Sequence, residues 1–281
     1  MVLKPRFINV RGNLIDLSVP KVMGIINVTP DSFYRGSRAV LEEEIIATAA
    51  RMIEEGADIL DVGGYSSRPG AAEITQEEER TRVTGALRII SREFPEAVVS
   101  IDTFRSGIAA EAVLDFGAGM INDISGGDAD SRMFQVVSKL QVPYIMMHMQ
   151  GVPGTMQDNP VYDDVVADIL RWFGERIVNL QSLGINDIII DPGFGFGKTT
   201  AHNFELLRNL RAFSITGLPV LVGVSRKSMI WKALGITPDE ALNGTTVLNT
   251  AALLNGADIL RVHDVKEAVQ VVKLTEKLKK Q

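Results

Sequence analysis

Apolar residues fall into two alternating rhythms along this chain. Short runs of strand type recur at 22–27, 59–63, 98–102, 120–123, 143–147, 188–191, 220–224 and 259–262. Between them the apolar positions return at the three- and four-residue spacing of amphipathic helices. The short runs are apolar on successive residues, which is the pattern of parallel strands covered on both faces. Eight strand–helix units in one chain predict an α/β fold, a closed (β/α)8 TIM barrel. An open doubly wound sheet is the competing arrangement. The barrel is preferred because no composition break divides the units and no dinucleotide fingerprint follows the first run. Residues 7–17 alternate around Arg11-Gly12-Asn13 and predict a β-hairpin plugging the barrel bottom. One domain follows, with residues 1–20 as the hairpin segment and 21–281 as the barrel.

Helix punctuation agrees with that register. Thr75-Gln76-Glu77-Glu78 reads as a capping box, as does Thr237-Pro238-Asp239-Glu240, with Pro at the first helical position. Asp264-Val265-Lys266-Glu267 opens the last helix the same way. Gly56, Gly117 and Gly256 each stand where a helix must reverse into a strand, a left-handed position that glycine fills cheaply.

Composition narrows the class. The chain has 281 residues, 46% hydrophobic, so it can fill a core and is not disordered. It contains no Cys and three His, which excludes a disulfide scaffold and argues against a zinc site or a thiol nucleophile. The formal charge of −6 does not suit a chain that coats nucleic acid or an anionic membrane. The longest stretch without charge, 140–157, holds two Pro and a His and is no membrane span. With no apolar leader at the start, a cytoplasmic location is the default expectation.

Every apolar run turns polar at the same end, where barrels of this type carry their sites. The strand ends deliver Asn27, Asp61, Asp102, Asn122, Asp123, His148, Asp191, Arg261 and His263, together with Gly193–Lys198 and Ser225-Arg226-Lys227-Ser228. Structural roles compete for several of them. Asp102 has the spacing to cap a helix starting near Arg105, and Asp61 and Asp123 to brace loops. His148 suits a packed histidine, the adjacent Met residues core or pocket wall, and the Glu42–Glu44 and Glu77–Glu79 runs solvated first turns of helices. As a set, Asp102, Asn122 and Asp191 suit a heterocycle rich in N–H donors. Arg261 and His263 beside Asn27 suit a phosphate group, and a helix starting near Ser228 would offer N–H groups to a second anion.

These strand-end motifs together resemble the dihydropteroate synthase family. The carriers are MGIINVTPDSF from Met23, LDVGG from Leu60 with Ser67-Arg68-Pro69-Gly70, and Ile101-Asp102-Thr103. They continue with Ile121-Asn122-Asp123-Ile124, MHMQG from Met147, DPGFGFGK from Asp191, SRKS from Ser225 and RVHD from Arg261. The resemblance implies an enzyme that joins a pterin methyl pyrophosphate to p-aminobenzoate and releases pyrophosphate, with Mg2+ as cofactor. It implies a homodimer, small-molecule substrates and membership of a sulfonamide target family. Carried over by motif, Asp102, Asn122, Met147, Asp191 and Lys227 would hold the pterin, with Asp102, Asp191 and Lys227 catalytic. Asn27, Arg261 and His263 would hold the pyrophosphate, with Asn27 also at the metal. Ser67, Arg68, Pro69, Phe196, Lys227 and Ser228 would form the aminobenzoate subsite.

Two positions depart from the family pattern. After PDSF the family commonly has a small residue, an Asp and two Gly, where this chain has Tyr34-Arg35-Gly36-Ser37. After Gly63-Gly64 it usually has Glu, where this chain has Tyr65. A related pterin methyltransferase serving a corrinoid partner would share the barrel and the Asp/Asn cradle. It would have no need of Ser67-Arg68-Pro69 or the SRKS motif. Arg35 and Tyr65 leave a non-catalytic pterin-binding paralogue as a third alternative.

Overall fold

The computed structural model describes residues 7–28, 38–66, 73–152, 154–157 and 159–279. A two-stranded antiparallel hairpin, β1 (Phe7–Val10) and β2 (Asn13–Asp16), precedes eight parallel strands. These are β3 (Lys21–Asn27), β4 (Ile59–Gly63), β5 (Val99–Asp102), β6 (Met120–Asp123), β7 (Tyr144–Met147), β8 (Ile188–Asp191), β9 (Leu221–Val222) and β10 (Ile259–Val262). Neighbours in sequence are neighbours in the sheet, and β3 pairs with β10. A parallel bridge between Ile190 and Val220 joins β8 to the β9 segment and closes the barrel. The (β/α)8 expectation holds, with each strand run placed within two residues of its predicted limits. The seventh run, expected over 220–224, makes only a two-residue strand. Pro219 before it has no N–H for the ladder, and Gly223 after it has no side chain to pack.

Helices α1 (Arg38–Glu55), α2 (Gln76–Glu93), α3 (Ser106–Phe116), α4 (Met133–Leu140), α5 (Val165–Ser182), α6 (Thr200–Arg208), α7 (Ser228–Leu234), α8 (Leu242–Leu254) and α9 (Val265–Lys279) cover the barrel. None of the described helices is long and apolar enough to cross a membrane. Strand residues alternate between two cores. Val22, Leu60, Ile101, Ile121, Ile190 and Val262 face the helices. Met23, Ile59, Met120, Ile145, Ile189, Leu221 and Ile259 point inward and pack with Ile8, Val10 and Leu17. The hairpin therefore seals the barrel from its N-terminal end, as expected. Burying Ile8 and Val10 there contributes about 2 kcal/mol each.

Helix ends mostly follow the sequence. Gly56, Gly117 and Gly256 adopt φ of 98°, 73° and 95°. Thr75 caps α2 through Glu78 N, but the reciprocal half of the expected box is not made, because the Glu78 carboxylate accepts from Arg82. The expected helix start at Thr237 is corrected. Glu240 Oε2 accepts from Thr237 N and Oγ1, at 2.9 and 2.8 Å, but this closes a turn and α8 begins only at Leu242. Asp264 precedes α9 as expected, though both its oxygens are taken by Arg226.

Candidate active site

The strand parity that buries Ile59, Met120, Ile189 and Ile259 at the barrel bottom has a direct consequence two residues later. Asp61, Asn122, Asp191 and Arg261 enter the same interior one layer higher. Ser100 and Asp102 join them from β5, where Asp61 is the register partner of Ser100 and Asp102 that of Asn122. The barrel thus has an apolar lower half and a polar upper half.

Arg261 lies at the centre of the upper half. Its Nε donates to Asp61 Oδ2 at 2.6 Å and its Nη2 to Asp102 Oδ2 at 2.6 Å. Asn122 Nδ2 donates to the same Asp61 oxygen at 3.0 Å. Asp191 Oδ1 accepts from Gly193 N at 2.8 Å. Among the described residues, Asp102 Oδ1, Asn122 Oδ1 and Asp191 Oδ2 have no protein partner. Three acceptors are therefore left over at the polar end of the barrel, the requirement set by a ligand edge rich in N–H groups. Asp102 does not cap the next helix. Asp130 does so, with its Oδ2 accepting from Ser106 N and Oγ. Burial raises the Asp102 carboxyl to about 7, against the opposing pull of Arg261 and with a push from Asp61. Burial raises Asp191 as well, while Lys227 pulls it down.

Lys227 belongs to the same group, close enough to Asp191 and Asp102 to feel their charge. Its ammonium donates to the Phe194 carbonyl and sits 4.6 Å from the centre of the Phe196 ring, a cation–π contact. Burial lowers it to about 8, while Asp191 supports its charge. It also precedes Ser228, the first residue of α7, as the sequence predicts, and stands at the N-cap without capping the helix through its side chain. The 193–197 loop bends through glycines at φ of 72°, 83° and 61°. It is pinned from below by buried Lys198, whose Nζ meets His148 Nδ1 at 3.0 Å, Phe196 O at 2.9 Å and His148 O at 3.3 Å. Burial and the neighbouring Lys198 push the His148 pKa well down and hold its ring neutral. His148 is thus the packed histidine expected, edge-on to Trp172. Met147 is buried at the end of β7.

The phosphate candidates lie on adjacent strands. His263 follows β10, with Nδ1 2.9 Å from Ser225 Oγ. Arg226, at φ 54°, grips Asp264 through Nε and Nη2 at 2.9 and 2.7 Å. Asn27 ends β3, half-buried, between β4 and β10. Ser67, Arg68, Pro69 and Arg35 lie outside the described residues. Tyr65 packs edge-on against Phe104 with the Arg105 guanidinium 5.8 Å from its ring. The Glu77–Glu79 run is not wholly solvated. Glu79 is fully buried, accepting from Thr103 Oγ1 at 2.6 Å and Arg105 Nη1 at 2.5 Å. Asp123 is the bracing residue anticipated: its two oxygens accept from Ser125 N and Oγ, Gly127 N and Tyr144 Oη. Sequence reasoning undervalued Asp61. Its parity with Ile59 and Gly63 was the signal that could have found it.

The match to known proteins decides the family. Residues 23–263 match the family described as pterin binding enzyme. The chain belongs to the pterin-binding enzymes. Within them it is 44% identical over 268 residues to the dihydropteroate synthase of Escherichia coli K12, covering 95% of this chain and 94% of that one. It is 40% identical to the Haemophilus influenzae synthase over 92% of this chain and 94% of the relative. The structure superposes on the Yersinia pestis synthase in complex with a sulfonamide drug at a TM-score of 0.91, with 40% identity, covering 98% of this chain and 100% of that one. A Xanthomonas albilineans synthase with 7,8-dihydropteroate gives 0.87, with 36% identity, 98% of this chain and 99% of that one covered. Within the pterin-binding family the chain falls among the dihydropteroate synthases, which makes it a transferase.

Proposed function

We propose that the protein condenses 6-hydroxymethyl-7,8-dihydropterin pyrophosphate with p-aminobenzoate, giving 7,8-dihydropteroate and pyrophosphate in folate biosynthesis. The observation that carries this is the open acceptor set at Asp102 Oδ1, Asn122 Oδ1 and Asp191 Oδ2 beside the Lys227 ammonium. An amino-lactam heterocycle offers adjacent N–H groups to the acceptors and a carbonyl to the cation. Met147 forms the wall. The aminobenzoate ring lies against Phe196 with its carboxylate toward Ser228 and Lys227, and the family motif assigns Ser67, Arg68 and Pro69 to the same subsite.

The reaction is an SN1-like displacement at the pterin methylene carbon. The C–O bond to pyrophosphate breaks first, and its electron pair leaves on oxygen. Asp102 and Asp191 offset the positive charge that then spreads over the ring. Asn27, Arg261 and His263 bind the pyrophosphate. Arg261 can do so while paired, because among the described residues two of its five N–H groups are committed. The arylamine nitrogen forms the new C–N bond and loses its proton to solvent. An arylamine is neutral near pH 7, so no strong base is required.

The donor set at Asn27 fits Mg2+. Among the described residues no cluster of three His, Cys, Asp or Glu could hold a metal. Mg2+ bound through a diphosphate needs only one or two protein oxygens, and the Asn27 carboxamide oxygen is one hard donor. Bound there, Mg2+ supplies charge neutralisation to the departing pyrophosphate. Two copies would associate through helices away from the rim, sulfonamides would compete with aminobenzoate, and the enzyme would work in the cytoplasm.

The test is product formation. Mass spectrometry should detect 7,8-dihydropteroate only when pterin pyrophosphate, p-aminobenzoate and Mg2+ are all present. Pterin binding without any pteroate product would favour a non-catalytic paralogue, and methyl transfer to a corrinoid protein would favour the methyltransferase.

A further inference from the structure

Asp61 has no part in the reaction as written above, yet two residues of the proposed site converge on one of its oxygens. It is fully buried at the middle of β4. Its Oδ2 accepts both from Asn122 Nδ2 at 3.0 Å and from Arg261 Nε at 2.6 Å, while its Oδ1 is buried with no partner. Asp123, a carboxylate with a bracing role in the same barrel, shows the contrast. Both of its oxygens are satisfied, by four donors. An orphaned buried oxygen costs on the order of 1–3 kcal/mol, and such groups are concentrated where function requires them. A carboxylate kept only to hold the fold together would be expected to have its second oxygen paired.

We propose that Asp61 is a positioning residue that sets the hydrogen-bonding polarity of the pterin pocket, by fixing which way the Asn122 carboxamide and the Arg261 guanidinium face. The physical basis is that a carboxylate oxygen only accepts. With Asp61 beneath it, Asn122 must turn its nitrogen down, and its oxygen is left for the ligand. A flipped amide would set two oxygens against each other. The pocket therefore presents Asn122 as an acceptor alongside Asp102 and Asp191. It discriminates against a heterocycle edge that lacks donors, because an unpaired buried acceptor is expensive. By sharing Arg261 with Asp102, Asp61 also holds the guanidinium level with the pyrophosphate end of the site. The proposal rests on the synthase reading above.

The test uses Asp61→Asn, which is nearly isosteric, and pterin pyrophosphate itself as the probe. An amide at position 61 can donate or accept, so Asn122 is released from its single orientation. The KM for pterin pyrophosphate should rise at least about tenfold, while the KM for p-aminobenzoate stays within about twofold. The acid limb of kcat/KM should also move to lower pH. Asp102 is faced by Arg261, Asp61, Glu79 and Asp123, with Lys227 nearby, and of the carboxylates Asp61 gives its pKa the largest upward push. A purely structural role would lower thermal stability, with both KM values unchanged or raised together and the acid limb unmoved. That outcome overturns the proposal. If Asp61→Asn does not fold, Asp61→Ser, which removes the carboxylate and leaves room for solvent, carries the same comparison. Wild-type protein without turnover would reject the synthase reading, whereas a variant indistinguishable from an active wild type rejects the Asp61 role alone.

Discussion

Gly193→Ala should damage both stability and pterin binding, and the structure sets the size of each effect. Gly193 follows Asp191 and Pro192 with φ at 72°. Left-handed backbone costs an alanine about 1–2 kcal/mol. A Cβ there would also overlap the His148 carbonyl oxygen outright, with its carbon at 3.0 Å and Lys198 Nζ at 3.3 Å. That carbonyl accepts from the buried Lys198 ammonium. Displacing it leaves the buried Lys198 Nζ, whose pKa burial already lowers, with one acceptor fewer, which costs about 1–3 kcal/mol more. The total is about 4 kcal/mol, or a fall of about 8 °C in Tm for a chain of this size. Gly12→Ala is the control. Its φ is 87°, but nothing lies within 4 Å of the added carbon, so only the backbone cost of about 1–2 kcal/mol applies, near 2–4 °C. Function separates the two further. Gly193 N holds Asp191 Oδ1 at 2.8 Å, so shifting it should raise the pterin KM about tenfold, while Gly12 at the hairpin turn should leave KM unchanged. Calorimetric Tm values and steady-state kinetics on the pair decide the matter. Equal Tm losses, or a normal pterin KM in Gly193→Ala, would refute the reasoning.

Three further outcomes are expected. Lys227→Ala should weaken pterin and aminobenzoate binding together, each by about 10–100-fold, because one ammonium serves both subsites. Loss of one alone in calorimetry would break the shared assignment. The pH profile of kcat/KM for pterin pyrophosphate should rise through about 7 as Asp102 ionises and fall above about 8 as Lys227 loses its proton; a flat profile from pH 6 to 9 would contradict it. For stability the Asp102 shift acts in the opposite sense. Between about pH 4 and 7 the folded chain holds a proton that the unfolded chain has released, so this group subtracts stability as pH rises through that window. Asp123→Asn should lower Tm by about 4–6 °C through loss of two of its four donors, with the pterin KM unchanged. A raised KM at normal Tm would make Asp123 a site residue.

The barrel was legible because its signal is local. Each strand run is apolar on successive residues, and a polar group at one end marks the rim whatever the neighbouring strands do. Which polar residues meet is a different matter, set by shear and register between strands far apart in sequence. The rim position of Arg261 beside Asn27 is local, but nothing local shows that it also reaches Asp61 and Asp102 across the barrel, 200 and 159 residues away. Glu79 sat in a run of three acids and looked solvated, but the third residue of the run turns inward to Arg105 and Thr103. Local chemistry also misleads when two local structures share one signature. The Thr237–Glu240 interaction is present, but it closes a turn instead of opening a helix. Asp102 has the spacing of a helix cap, but Asp130, further along the chain, does that work.

The most direct test of the account is a crystal structure of the protein with 7,8-dihydropteroate, which spans both proposed subsites. The account predicts the pterin edge against Asp102 Oδ1, Asn122 Oδ1 and Asp191 Oδ2, the ring beside Phe196, and the carboxylate near Ser228. Product bound elsewhere, or bound with Asn122 donating to it in place of Asp61, would contradict it.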